Sequence, residues 1–60
     1  MNNYIIKTKM KGYFCGWNMF GGMKFIEERR LAYRMRSNVA ETTAQKINNL
    51  FNESCEIISL

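Results

Sequence analysis

Short apolar runs separated by turn residues dominate the first half of the chain. Residues 4–9, 13–17 and 23–27 are rich in aromatic and β-branched side chains, a composition that is typical of strands. Gly12 marks a turn after the first run. Two adjacent glycines lie within residues 18–22, and they predict a hairpin loop with one or two residues at positive φ. The pattern therefore predicts three short strands joined by tight turns.

Residues 31–36 allow two interpretations. Their apolar and polar side chains alternate, which favours a fourth, half-buried strand. The rival interpretation is a helix over residues 27–36, because Glu, Arg, Leu, Ala and Met are good helix formers. We take the strand as the prediction and keep the helix as its alternative.

The second half of the chain has a helical period. Apolar residues recur at i, i+3 and i+4 spacing from Val39 to Phe51, which predicts one amphipathic helix. Ser37 and Asn38 offer N-cap oxygens, and Glu41 stands three residues after Asn38 in the spacing of a capping box.

A closing strand over residues 55–60 completes the order ββββαβ. This order predicts an α+β fold, in which a small antiparallel sheet carries one helix packed on one face. We expect residues 1–60 to form a single domain. The helix-facing positions are predicted to be Ile6, Cys15, Phe25, Tyr33, Met35 and Ile57.

The aromatic residues outnumber what one helix can cover. Neighbouring strand residues point to opposite faces of a sheet, so Tyr13 and Phe14 cannot both face the helix. Exposed apolar patches of more than a few hundred Å2 usually mark interaction sites. Trp17 either folds over the edge of the core or faces a partner, and both possibilities stay open. We predict an interface made by Tyr13, Phe14, Trp17, Met19 and Phe20.

Positive charge is concentrated in the predicted sheet. Residues 1–36 carry eight Lys or Arg against two Glu, a net +6, and residues 37–60 carry a net −2. A basic sheet face suits an acidic protein surface or single-stranded nucleic acid, and it is also what a solvated back of a sheet looks like. The predicted basic patch consists of Lys7, Lys9, Lys24, Arg34 and Arg36.

The side chains that enzymes and metal sites use are scarce. The chain has no histidine and no aspartate, and Cys15 and Cys55 stand forty residues apart. A zinc site therefore lacks its ligands, and a catalytic cysteine lacks a base. We predict that the protein is not an enzyme, needs no cofactor or metal, and carries reduced cysteines in the cytoplasm. No apolar run is long enough for a membrane span or a secretion signal.

Several short motifs resemble short phage-encoded accessory proteins of low-GC bacteria. They are Tyr4-Ile5-Ile6-Lys7, Gly12-Tyr13-Phe14-Cys15-Gly16-Trp17, Met23-Lys24-Phe25, Ala32-Tyr33-Arg34-Met35 and Glu56-Ile57-Ile58. The group includes compact anti-defence proteins, among them a homodimeric inhibitor of the Hachiman system, which would suit this size. The resemblance implies stoichiometric binding of a host factor, and it assigns no site residues.

The combined prediction is a small phage or mobile-element protein that binds and inhibits or modulates a host factor as a homodimer. Its partners would be a second copy of itself and a host protein, with no membrane. The alternative is a small nucleic-acid-binding regulator that uses a basic, aromatic sheet face.

Overall fold

The computed structural model describes residues 3–60 and shows an antiparallel sheet with one long helix. The strands lie side by side in the order β3-β2-β1-β4. The predicted α+β class and single helix are confirmed. The elements in chain order are β1 (Tyr4–Thr8), β2 (Tyr13–Trp17), β3 (Met23–Ile26), a short 3-10 turn (Arg29–Leu31), α1 (Ser37–Phe51) and β4 (Cys55–Ser59).

The segment predicted as the strand 31–36 pairs with the sheet at a few backbone groups only. Met35 and Tyr4 exchange hydrogen bonds of 3.0 and 2.9 Å, and the Tyr33 N–H donates to the Phe14 carbonyl over 2.9 Å. The segment thus lies between the diverging ends of β1 and β2 and bonds to both. Of the three side chains that the alternation would turn inward, Met35 is buried, but Leu31 and Tyr33 are 52% and 43% exposed, and a bridge at Met35 replaces a regular strand. The rival helix is reduced to the 3-10 turn.

The core lies between α1 and the sheet. Ile6, Phe14 and Met35 from the sheet side meet Ala40 and Ile47 of the helix, and all five are buried. Burial of such side chains stabilises a fold by roughly 1.5–3 kcal/mol each. The predicted helix-facing positions Ile6, Phe25 and Met35 are confirmed, while Cys15, Tyr33 and Ile57 are only partly covered.

The helix begins two residues before the predicted start. Arg36 is its N-cap residue, with the extended backbone of that position, and the Ala40 N–H donates to its carbonyl. No side chain caps this end, so the capping box predicted from Asn38 and Glu41 is wrong. At the other end Asn52 has left-handed backbone, which terminates the helix.

A β-bulge in β2 controls which aromatic residues share a face. Phe14 pairs with Phe25, but Gly16 pairs with Lys24, so Cys15 is an extra residue in β2. An extra residue shifts the alternation by one position. Trp17 therefore points to the same face of the sheet as Phe14, although regular alternation would place the two residues on opposite faces.

Candidate functional site

The loop between β2 and β3 is built around one asparagine. The Asn18 side-chain oxygen accepts hydrogen bonds from the Phe20 and Gly22 N–H groups, each over 2.9 Å. The Asn18 backbone also bonds to Gly21 and Gly22. Gly21 has a φ of 81°, which an L side chain rarely adopts. The loop is therefore a hydrogen-bonded turn with a defined backbone, as the adjacent glycines predicted.

The two side chains at the tip of this loop point into solvent. Met19 is 90% exposed and Phe20 is 89% exposed. Trp17 at the end of β2 is 47% exposed, and its ring lies 5.6 Å from that of Tyr33, which is 43% exposed. We refer to Trp17, Met19, Phe20 and Tyr33 as the hairpin-tip surface. Solvent exposure matches the prediction for the loop residues.

Tyr13 and Phe14 do not belong to this surface. Phe14 is completely buried at the centre of the core, so its prediction as an interface residue is wrong. Tyr13 is half-buried and pairs with Lys7 on the sheet face that carries no helix. Alternation does separate the two residues, as expected. The sequence did not determine which of them faces the helix, because both are large aromatic side chains.

The surplus of aromatic residues is largely accounted for by packing among themselves. The helix packs on β1 and β4, and rings cover the remaining half of the same sheet face. Phe14 lies edge-to-face against Trp17, Phe25 and Tyr33, with centroids 5.0, 5.9 and 6.0 Å apart. Phe25 also contacts Phe51 of the helix at 5.7 Å. Such pairs contribute about 0.5–1.5 kcal/mol each beyond their buried area.

Basic side chains line the opposite face of the sheet, which is covered in part, because Ile5 on that face is 1% exposed and lines a cavity with Arg29, Arg30 and Ala32. Lys7 pairs with Tyr13, and its Nζ lies 5.8 Å from the ring centroid. Tyr13 pairs in turn with Ile26, so Lys24, two residues before Ile26, points to that same face. This part of the predicted basic patch is therefore one surface.

The rest of the predicted patch is divided. Arg34 lines a cavity together with Ile5, which alternation places on the same face as Lys7. Lys9 lies beyond the end of β1, and it lines a neighbouring cavity with Lys7. Arg36 stands at the start of the helix. The face opposite the helix thus gathers Lys7, Lys24 and Arg34, and the five predicted residues do not form one patch.

The exposed rings lie on a different face from Lys7 and Lys24, although Arg34 and Arg36 line a cavity with Tyr33. Single-stranded nucleic acid is bound by rings that stack with bases beside cations that contact phosphates. The exposed rings of Trp17 and Tyr33 belong to the helix side, whereas Lys7 and Lys24 point away from it. Tyr13 is the aromatic residue that stands among the basic side chains. Lys7 and Lys24 therefore do not form one stacking surface with Trp17 and Tyr33, which does not favour the nucleic-acid alternative.

The two thiols show no nucleophilic arrangement within residues 3–60. Both cysteines are free and half-buried. Burial raises the pKa of the Cys55 thiol, and the Glu53 carboxylate raises that pKa further. A raised pKa leaves less of the reactive thiolate at neutral pH. The described residues also contain no cluster of three or more His, Cys, Asp or Glu side chains that could hold a metal ion.

No helix in the described part of the chain is long and apolar enough to cross a membrane. Comparison of the chain with protein-family models, with curated proteins and with solved structures finds no match.

Proposed function

We propose that this protein acts by binding a second protein through the hairpin-tip surface, without catalysing a reaction. The observation that carries the proposal is the exposure of Met19 and Phe20, 90% and 89%, in a loop whose backbone is held by hydrogen bonds. A loop that is already ordered loses little conformational entropy when it binds. Aromatic residues that are exposed in this way are typical anchors of protein interfaces.

The charge of the chain indicates the kind of partner. Residues 1–36 carry a net +6, and Lys24 is exposed on β3 just after the loop. An apolar cleft with acidic residues around it would receive the two loop side chains and attract the basic surface behind them. The association should therefore weaken as ionic strength rises, because salt screens such charges.

The sequence resemblance suggests which class of proteins contains the partner. If the chain is a phage accessory protein of the anti-defence type, the partner is a host factor of an anti-phage defence system. Stoichiometric binding then inhibits or modulates that factor, and the protein acts as a homodimer. The low number of potential catalytic groups, with no histidine and no aspartate, supports binding as the mode of action.

An affinity pull-down from a bacterial lysate tests the role of the loop. The wild type is compared with the double variant Met19→Ala/Phe20→Ala and with the control Met10→Ala. Met10 is 84% exposed in the turn between β1 and β2, so it matches Met19 in chemistry and exposure but lies in a different loop. We expect a nuclease-resistant protein partner to be retained by the wild type and by Met10→Ala, and lost by the double variant.

Two results would contradict the proposal. A partner that all three proteins retain equally would exclude the hairpin tip as the contact. Captured material that disappears after nuclease treatment would favour the nucleic-acid alternative instead. Circular dichroism of each variant shows that the fold is intact, which we expect because the substituted side chains are exposed.

A further inference from the structure

We infer that the homodimer forms by antiparallel pairing of β4 with β4 of a second copy. This inference deepens the homodimer part of the proposed function and leaves the hairpin tip free.

The hydrogen bonds fix the orientation of the β4 backbone. The Leu60 N–H donates to the Asn3 carbonyl over 2.7 Å, and these residues continue the register in which Ile5 faces Ile58. Hydrogen-bonded pairs recur at every second residue of an antiparallel ladder. Ile58 and Glu56 therefore direct their N–H and C=O groups towards β1. Tyr4 lies between two such hydrogen-bonded residues, Asn3 and Ile5, so its backbone groups point away from β4. They bond to Met35 instead.

The alternate residues of β4 direct their backbone groups outward. These residues are Cys55, Ile57 and Ser59, and no strand within residues 3–60 lies beyond β4 in the sheet. Such a row of unpaired donors and acceptors is a template for another strand. Proteins usually protect it with lysine, proline, a bulge or a very short strand. β4 has no lysine, proline or bulge, and its one charged residue is Glu56.

The other edge of the sheet is protected in these ways. β3 has four residues, carries Lys24, and pairs with β2 across the bulge at Cys15. A bulge increases local twist and disturbs the regular spacing of the ladder. The two edges thus differ in the features that discourage strand addition, and β4 is the edge that remains open.

The sequence of β4 is complementary to itself. In a two-fold pair centred on Ile57, Cys55 lies opposite Ser59 of the second copy, and all outward backbone groups find a partner. Glu56 then lies opposite Ile58, so the single charge of each strand does not face its own copy. Like charges directly opposite each other are destabilising. A foreign strand would have to match this pattern, whereas a second copy matches it by symmetry.

Apolar burial adds to the backbone pairing. Ile57 is 38% exposed in the single chain, on the helix side of the sheet. It lines an open groove between α1 and the edge of β4, together with Ala44, Cys55 and the polar residues Glu41, Gln45, Asn48 and Ser54. The Ile57 side chains of the two copies would meet at the two-fold axis and cover each other. A domain of this length is only marginally stable, so a chain whose two cysteines are free would gain from such an additional source of stability.

The geometry of the dimer leaves the proposed binding surface accessible. The combined sheet would run β3-β2-β1-β4 and continue with β4-β1-β2-β3 of the second copy. The two β2–β3 hairpins then lie at opposite outer edges. Each dimer would present two hairpin tips, and it could bind a partner with two sites more tightly than one chain does.

Two variants test the pairing of β4 with β4: one should prevent the dimer, and the other should trap it as a disulfide-linked dimer. Ser59→Pro removes an outward N–H that makes no bond to β1, so the domain should stay folded while the edge is blocked. Size-exclusion chromatography with light scattering at tens of micromolar should give twice 7.1 kDa for the wild type and 7.1 kDa for Ser59→Pro. Ser59→Cys should form a disulfide-linked dimer on oxidation, through Cys55 of the other copy, whereas Ser54→Cys should not.

The outcomes separate this inference from the hairpin proposal. Met19→Ala/Phe20→Ala should remain a dimer even though it loses the partner. A wild type that elutes as a monomer, a Ser59→Pro variant that remains a dimer, or a double variant that becomes a monomer would each overturn pairing through β4. A wild-type monomer that still captures a protein through Phe20 would leave the hairpin proposal standing alone.

Discussion

At the residue scale, two turn glycines with similar backbone have different surroundings. Gly12 has a φ of 90°, and a Cβ built there would lie 2.7 Å from the Ile26 carbonyl oxygen. Gly21 has a φ of 81°, but nothing lies within 4 Å of its Cβ position. Left-handed backbone costs an L residue roughly 1–2 kcal/mol. Substitution of either glycine by alanine incurs this cost. At Gly12 the new Cβ would also collide with the backbone of Ile26.

We therefore expect Gly12→Ala to lower the free energy of unfolding clearly more than Gly21→Ala does. The loss for Gly21→Ala should be about 1–2 kcal/mol, and the loss for Gly12→Ala should exceed it because Ile26 must move. Urea denaturation of both variants measures the difference. Equal losses would show that the turn at Gly12 can move away from Ile26 without a further loss of stability. That result would contradict the close approach of Gly12 to the Ile26 backbone.

At the scale of elements, the helix start offers a gain in stability. Arg36 occupies the N-cap position with φ −74° and ψ 161°, but its side chain makes no capping bond. Its positive charge also stands at the end of a helix that favours negative charge. Arg36→Asp should raise the free energy of unfolding by about 1 kcal/mol. Arg36→Ala serves as the control, because it removes the charge without supplying a cap.

The measurement is the midpoint of urea unfolding for the three proteins. We expect Arg36→Asp to be more stable than Arg36→Ala and than the wild type. If Arg36→Asp matches Arg36→Ala, the aspartate does not cap α1 and the helix start described here is wrong.

The elements that the sequence predicts well are those set by local periodicity. Strands at residues 4–9 and 13–17, the loop at 18–22 and the helix ending at Phe51 follow from side-chain patterns within a few residues. The segment 31–36 does not, because its backbone partners come from β1 and β2, which diverge only in the folded sheet. The bulge at Cys15 is likewise a consequence of pairing between strands.

At the scale of the whole molecule, burial shows which residues of the predicted interface face solvent and which lie in the core. The sequence predicts an excess of aromatic residues near Trp17, and the structure exposes Met19 and Phe20 while it buries Phe14. Tyr33 joins Trp17 through the long-range packing of the 31–36 segment, so no local pattern could have placed it in the candidate site. The exposed part of the predicted interface therefore consists of Trp17, Met19 and Phe20.

Two surfaces at opposite edges of the sheet follow from this arrangement. The β2–β3 hairpin presents the apolar loop at one edge, and β4 presents unpaired backbone at the other. Binding of a partner and self-association would then use separate surfaces. The central claim is that Phe20 contacts a protein partner directly.

Site-specific photo-cross-linking tests this claim most directly. A benzophenone amino acid replaces Phe20 in one variant and Met10 in the control, and both proteins are irradiated in a bacterial lysate. We predict a covalent adduct with one protein from the Phe20 position, at an intensity that falls as salt rises, and none from the Met10 position. Equal labelling from both positions, or adducts with nucleic acid alone, would contradict the account.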